Sequence, residues 1–264
     1  MKIGNVLVVY TKFNLKRQKS TISAVKAALG KSSIRNRLVE RTRLNKKFFN
    51  DADLVIAVGG DGTFLRAAQF IFDETPLLGV NSDPEKKEGF FMQAAGNDFN
   101  KKLKKILNNN YKIKKLHRLE AFIGNKKVHE LALNEFYIAA ERPYLTARYL
   151  LYAGKKKERQ KSSGILIATA AGSNAWLKSA GGKVLPLNSD KFEYLVREPY
   201  CGKVSAKCKL VNGVVNKNEK LGIVFEVGNG ILVSDSLSKE YKFRMGQKVT
   251  IQMSKKPIHM VSFG

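Results

Sequence analysis

The hydrophobic pattern changes its period near residue 110, and that change limits the folds open to the chain. Before it, β-branched runs alternate with helix-spaced segments. "NVLVVY" (5–10), "DADLVIAVGG" (51–60) and "PLLGVN" (76–81) read as buried strands. Ile22, Val25 and Leu29 recur at helical spacing, with Gly30 placed to stop that helix. Phe64, Leu65, Ala67, Ala68 and Ile71 mark a second helix, and Phe99, Leu103, Ile106 and Leu107 a third over 97–108. Strands alternating with helices specify a parallel sheet covered by crossover helices. Beyond Tyr111 the runs are short: "EAFIG", "VHELALNEFYIAA", "YLLYAG", "GILIATA", "KCKLVNG", "LGIVFEVGNGILVS" and "YKFRMGQKVTIQM". Asn-Gly and Gly-Asn-Gly punctuate them, which specifies hairpins in an antiparallel domain, with "NGIL" (229–232) as a hairpin turn. The expected organisation is an α/β domain over 1–110 and a β domain over 111–264, packed with a cleft between them.

The 44% hydrophobic content supports a core of that size. No apolar stretch approaches the ~20 residues needed to span a bilayer, so no membrane partner is expected. "MKIGNVLVVYTKF" reads as a first strand rather than a secretory signal or an Arg/Ser-rich leader, giving a cytoplasmic expectation. Cys201 and Cys208 have the spacing for a disulfide but are taken as reduced thiols, and no metal site of protein ligands is expected. The net charge of +26 favours anionic substrates. The runs "KKLKK" (101–105), "KIKK" (112–115) and "KKKERQK" (155–161) match no nucleic-acid-binding motif, so they are read as solvated faces and nucleic acid is not an expected partner.

One stretch departs from generic folding needs. "VIAVGGDGTFLRAA" (55–68) ends a strand in two glycines, an aspartate, a third glycine and a threonine, then becomes helical. Glycines at the carboxyl end of a parallel strand let backbone approach a ligand, and the helix start offers free N–H groups to phosphate. The pattern is neither a Walker A loop nor G-x-G-x-x-G. Asp61 is electrostatically unwelcome among such donors unless it works: it can accept a hydroxyl proton, or hold a hydroxyl or Mg²⁺. The plainer alternative is a helix cap.

GGDGT after a strand resembles the motif shared by NAD kinases, diacylglycerol and sphingosine kinases and, in a variant form, 6-phosphofructokinases. Three further segments resemble NAD kinases in particular: "ALNEFYI" (132–138), "SGILIATAAGSNAWLKSAGG" (163–182) and "LLGVNSDPEKKEGFF" (77–91). The longer "NSDP…EGF" form, Trp176 and "VREPY" (196–200) look most like the mitochondrial-type branch. The resemblance implies a Rossmann-like α/β domain, then a β-sandwich domain whose last residues can pack back on the first. It implies transfer of the γ-phosphoryl of ATP, or of polyphosphate, with Mg²⁺, to the adenosine ribose 2′-hydroxyl of NAD, giving NADP. It also implies a homodimer or homotetramer.

By motif position, Asp61 would contact NAD and act as base or orienter, while Gly59, Gly60, Gly62, Thr63 and Lys161 would serve the phosphates. Gly62, Phe90, Asn134, Glu135, Asn174, Ala175, Trp176 and Ser179 would complete the NAD site. Adjacent strand residues such as Asn134 and Glu135 face opposite ways, so one of them could instead be a surface polar group. Trp176 is by default a packing aromatic. Ser163 replaces a usual aspartate, and Lys161 stands where arginine is common, losing the planar fork. Two competing readings remain: another small-molecule or lipid kinase with GGDGT, and a non-catalytic NAD(P) sensor with a basic nucleic-acid-binding surface.

Overall fold

A computed structural model of the chain describes residues 3–12, 16–142, 144–202, 208–237 and 239–263. The chain divides into two units, Met1–Lys115 with Ile258–Gly264, and Leu116–Pro257.

The first unit is α/β. Its strands are β1 (Asn5–Tyr10), β2 (Arg35–Glu40), β3 (Leu54–Gly59), β4 (Leu77–Asn81), β5 (Met92–Ala95) and β6 (Lys112–Leu116), with helices α1 (Lys16–Lys31), α2 (Asp61–Ala68) and α3 (Phe99–Leu107). They form a seven-stranded sheet ordered β2-β1-β3-β4, then the C-terminal strand Ile258–Ser262, then β6, with β5 also paired to β4. β1 runs parallel to β2 and β3, and β3 parallel to β4. All six residues of β3 are buried, as a central strand covered on both faces requires. Val25, Leu29, Phe99, Leu103 and Ile106 from α1 and α3 pack on Val8, Ile56, Val58 and Val80. Each such fully buried side chain is worth ~1.5–3 kcal/mol.

Two details differ from expectation here. Gly30 does not stop α1, which continues to Lys31; Ser33 takes the left-handed turn (φ +53°), and its N–H donates to Gly30 O at 3.2 Å. β2, "RNRLVE", is an additional strand whose polar residues face solvent because it borders the sheet.

The second unit is a β-sandwich. Its strands are β7 (Leu119–Ile123), β8 (Lys126–Lys127), β9 (Glu135–Ala140), β10 (Ala147–Ala153), β11 (Lys156–Ser162), β12 (Gly164–Ala168), β13 (Phe192–Arg197), β14 (Asn212–Val215), β15 (Lys220–Val227), β16 (Gly230–Ser234), β17 (Glu240–Phe243) and β18 (Lys248–Met253), with a short α4 (Trp176–Ser179). One six-stranded sheet is ordered β11-β10-β15-β18-β7-β8, the other β14-β13-β12-β9-β16-β17. Tyr149, Leu151, Ile223, Phe225 and Ile251 from the first meet Phe136, Ile138, Ile165, Ile167, Phe192 and Leu232 from the second in one core. An α/β unit and a β-sandwich unit are the expected fold class.

The turn at "NGIL" is not a hairpin. β15 and β16 belong to different sheets, so Gly228 (φ +69°) and Asn229 carry the chain across the sandwich. Turn residues specify a reversal of direction but not the sheet that the next strand joins. Nor are the cysteines reduced: Cys201 and Cys208 form a disulfide, their Cα atoms 5.8 Å apart. The seven-residue spacing brings them within bonding reach, overriding a reading based on redox compartment. Lys207, which opens the "KCKLVNG" run, lies outside the described residues.

The basic runs sit largely at sheet borders. β6 ("KIKKL"), β8 ("KK"), β11 ("KKERQKS") and β2 ("RNRLVE") are all terminal strands in their sheets. "KKLKK" lies on α3, where Lys102 pairs with Asp98 at 2.7 Å. Among the described residues no helix is long and apolar enough to cross a membrane.

Candidate functional site

In the α/β unit the strand–glycine–helix stretch folds as β3, a Gly60 cap and α2. Gly59 is required by packing: a Cβ there would stand 2.3 Å from Thr63 Oγ1. Thr63 is itself buried, and its N–H makes the first helical bond, to Gly60 O at 2.8 Å. The amides of Asp61 and Gly62 precede that bond, at the positive end of the helix.

Asp61 is half-buried and does not point idly at solvent. Its Oδ2 accepts from Phe90 N at 3.0 Å and its Oδ1 from Phe91 N at 2.9 Å. The carboxylate is thus clamped in one orientation by a loop about thirty residues away in sequence, and each oxygen retains a further lone pair. That loop differs sharply between its two aromatics. Phe91 is buried and stacks on Phe64 at 4.8 Å, whereas Phe90 is 42% exposed and meets Phe91 edge-on at 5.0 Å. Asp61 therefore positions an exposed aromatic ring beside the glycine turn. Gly59, Gly60, Asp61, Gly62, Thr63 and Phe90 form one constellation.

The second constellation lies in the sandwich unit. Glu135 opens β9 and Asn134 precedes it. Both are buried, and Asn134 Oδ1 and Glu135 Oε2 have no hydrogen-bond partner among the described residues. Beneath them sits Asp235, 4% exposed and in the left-handed region (φ +51°). Its carboxylate accepts from Asn134 N at 2.7 Å, Leu133 N at 3.0 Å and Glu135 N at 3.2 Å, and Asp235 N donates to Glu135 O at 2.9 Å. Burial, reinforced by the charge of Asp235, pushes the Glu135 carboxyl up to about 8, with a Ser236 hydrogen bond opposing. Glu135 is therefore mostly protonated at neutral pH, a hydrogen-bond donor in a site of acceptors. Arg118, fully buried, is lowered to about 10 by burial, with Asp235 opposing that shift.

The second glycine-rich segment is built against this corner. Thr169 N donates to Asn134 O at 2.9 Å and Thr169 Oγ1 to Leu133 O at 2.6 Å, while Gly172 N donates back to Thr169 Oγ1 at 3.0 Å. A Cβ on Gly172 would fall 2.0 Å from Asn134 O, so glycine is needed for this close approach. Asn174 follows in a 3-10 turn with Nδ2 donating to Ala170 O at 3.4 Å; Ala175 leads into α4, and Ser179 is exposed at its end. Trp176 is half-buried. It meets Tyr137 at 5.0 Å, with Arg197 Cζ 5.2 Å from its ring centroid. Asp235 and Thr169 are the site residues that sequence reasoning missed. A lone aspartate in "LVSDS" carries no local pattern, since its partners lie about a hundred residues earlier.

Lys161 is placed apart from this corner. It is the penultimate residue of β11, near the start of β12, whereas Glu135 pairs with the end of β12 at Ala168. Its ammonium lies 4.4 Å from the Tyr200 ring centroid, in a hollow of about 280 Å³ shared with Tyr144, Thr146, Ser163 and Glu198.

Among the described residues no group of three or more His, Cys, Asp or Glu gathers as a metal cage. A Mg²⁺ carried by nucleotide phosphates needs only one or two carboxylates, because water and phosphate oxygens fill its octahedron. Asp61, with lone pairs left over from its amide bonds, fits that lesser requirement.

Known proteins resemble the chain along most of its length. The model of the ATP-NAD kinase N-terminal domain matches residues 6–111, and that of the ATP-NAD kinase C-terminal domain matches 133–263. A probable NADH kinase from Oryza sativa subsp. japonica is 28% identical over 273 aligned positions, covering 95% of this chain and 83% of the relative. An NAD kinase from Thermoplasma volcanium is 29% identical, covering 80% and 74% respectively. The crystal structure of an NAD kinase from Archaeoglobus fulgidus in complex with ATP shares the fold with a TM-score of 0.80 at 24% identity, covering 98% of this chain and 93% of that one.

Proposed function

This chain belongs to the ATP-NAD kinase family, and on that footing we propose that it moves the γ-phosphoryl of ATP to the 2′-hydroxyl of the adenosine ribose of NAD, giving NADP. The observation that carries the reading is the Asp61 carboxylate, fixed by the Phe90 and Phe91 amides at the mouth of the glycine turn. A ribose hydroxyl becomes a competent nucleophile when a carboxylate within ~2.6–3.2 Å takes its proton as the new bond to phosphorus forms. Asp61 would be that base, or would orient the hydroxyl. The α2 start and Gly59, Gly60, Gly62 and Thr63 would cradle phosphate.

Phe90, exposed and edge-locked, would lie against the nucleotide. Asn134 and protonated Glu135 would hydrogen-bond the dinucleotide with the buried atoms that have no protein partner. Asn174, Ala175, Trp176 and Ser179 would border the same ligand, and Lys161 would supply charge from its own hollow. Bound Mg²⁺ would neutralise phosphate charge, held by the donor's phosphates and Asp61. A homodimeric or homotetrameric assembly belongs to the same reading, and sedimentation would reveal it.

NADH deserves a place beside NAD as the acceptor, because the rice relative bears the name NADH kinase. The test is an assay of the purified chain with Mg²⁺, NAD or NADH as acceptor, and ATP or polyphosphate as donor. Formation of NADP or NADPH is expected. Binding of dinucleotide without any phosphorylation, with either acceptor and either donor, would instead identify a sensor.

A further inference from the structure

Two basic side chains from other segments converge on the glycine turn. A Cβ on Gly60 would lie 3.2 Å from Lys87 Cδ, and a Cβ on Gly62 would lie 3.4 Å from Arg41 Nη1. Arg41 begins the 3-10 turn Arg41–Arg43 after β2, and Lys87 belongs to "DPEKKEG" between β4 and β5. Lys87 thus runs its stem past Gly60, and Arg41 brings its guanidinium to Gly62.

Lys87 is tied to the turn by a relay. Its ammonium donates to Ser82 Oγ at 2.8 Å, and Ser82 Oγ donates to Gly59 O at 3.2 Å. Ser82 N donates to the same carbonyl at 2.9 Å, so the hydroxyl is held at both ends. Ser82 uses one of three ammonium protons and leaves two for another acceptor. Among the described residues neither Lys87 nor Arg41 forms an ion pair, whereas neighbouring Arg17 is engaged by Glu85. Burial holds the Lys87 ammonium below its ordinary range; Asp83 opposes this, and the charge of Arg41 adds to it. Two like charges beside a helix start, without a contacting acid, favour a polyanion between them.

We propose that Lys87 and Arg41 clamp the terminal phosphates of the donor over the glycine turn and stabilise the phosphoryl group in flight. This rests on the kinase reading above. In the transfer, the bond from the γ-phosphorus to the β–γ bridging oxygen breaks and the bond to the ribose 2′-oxygen forms. The hydroxyl proton passes to Asp61, and the shortened donor leaves with the bridging oxygen's electron pair. Lys87 and Arg41 exchange neither proton nor electron; they offset negative charge on the transferred oxygens and the leaving group. The segment from Lys87 to Phe91 then has a double task. It supplies a cation for the donor, and through the Phe90 and Phe91 amides it aims the base.

The test compares the full chain with Lys87→Ala, Arg41→Ala, the double variant and Lys87→Arg. Tripolyphosphate and NAD affinities are measured by calorimetry, kcat and KM for ATP by NADP formation, and folding by thermal melting. Lys87→Ala is expected to weaken tripolyphosphate at least ~10-fold and to lower kcat by ~100-fold, with a deeper loss in the double variant. Lys87→Arg should recover part of both, while NAD affinity stays within about two-fold of wild type. Because both side chains are part-exposed, melting should be unchanged; Lys87→Met and Arg41→Gln, which keep the apolar stems, provide a second route if the alanines unfold. A wild-type chain that phosphorylates NAD, with tripolyphosphate affinity, kcat and KM unmoved in both single variants, overturns the clamp and leaves the kinase reading intact. A wild-type chain that phosphorylates nothing, yet loses tripolyphosphate in the variants, overturns the kinase reading and upholds the anion clamp.

Discussion

The two units use the same device for different ends. In each, an aspartate carboxylate gathers backbone N–H groups from a distant segment: Asp61 takes two, from Phe90 and Phe91, and Asp235 takes three, from Leu133 to Glu135. Asp61 is half-buried and the loop it holds carries an exposed aromatic ring, while Asp235 lies under the residues it holds. One carboxylate stands where it can meet a ligand; the other is scaffolding that sets the geometry and the charge of a neighbour. Equal hydrogen-bond chemistry therefore gives an accessible carboxylate in one place and a foundation in the other, and the difference is set by burial.

Substitution at the two aspartates should separate these roles most sharply. Asp61→Asn is expected to lower kcat for NADP formation by ~10²–10⁴-fold while the protein still melts cooperatively, because a carboxamide cannot take the proton. A kcat within a few-fold of wild type would erase the distinction drawn here. Asp235→Ala should act on stability instead. Leaving buried N–H groups without an acceptor costs ~1–3 kcal/mol each, so urea unfolding should show a loss of about 3 kcal/mol or more. A neutral Asp235→Ala would mean that solvent or other groups satisfy those amides.

The same contrast predicts a pH dependence. Glu135 binds its proton more tightly in the folded chain than in the unfolded one, since its pKa is raised from 4.5 to about 8. Its contribution to stability is therefore complete below about pH 4.5 and is lost as pH rises through about 8. Glu135→Gln should flatten the fall in melting temperature between about pH 5 and 8; an unchanged slope would assign the pH dependence elsewhere. Phe90→Ala should have only a small effect on stability. A ring 42% exposed contributes little to folding, so the change should stay below ~1 kcal/mol while KM for the dinucleotide rises. A large stability loss would make Phe90 a packing residue after all.

What could be read from the sequence follows the range of the interactions. The strand–glycine–helix unit was legible because its parts are adjacent: a buried run, the glycines, then a helical period. The antiparallel unit was legible from its short runs. Asp235 was not, because nothing within ten residues of it announces partners a hundred residues away. The crossing at Gly228 and Asn229 was mistaken for a hairpin because left-handed turn chemistry is the same whether the following strand pairs with its predecessor or joins the opposite sheet. β2 escaped because a border strand with exposed arginines lacks an apolar signature. The approach of Lys87 and Arg41 to the glycine turn was equally hidden, since each meets the glycines only in space.

The lysine-bearing borders of the sheets carry a consequence for how the molecule behaves in bulk. Unpaired strand edges are templates for lateral joining, and rows of like charge are an effective guard against it. The guard is electrostatic, so it weakens as the Debye length shrinks to ~3 Å at 1 M salt. The same ions relieve the self-repulsion of a chain with a net charge of +26. Concentrated salt thus strengthens each folded copy while lowering the barrier between copies, and colloidal stability is greatest where conformational stability is not.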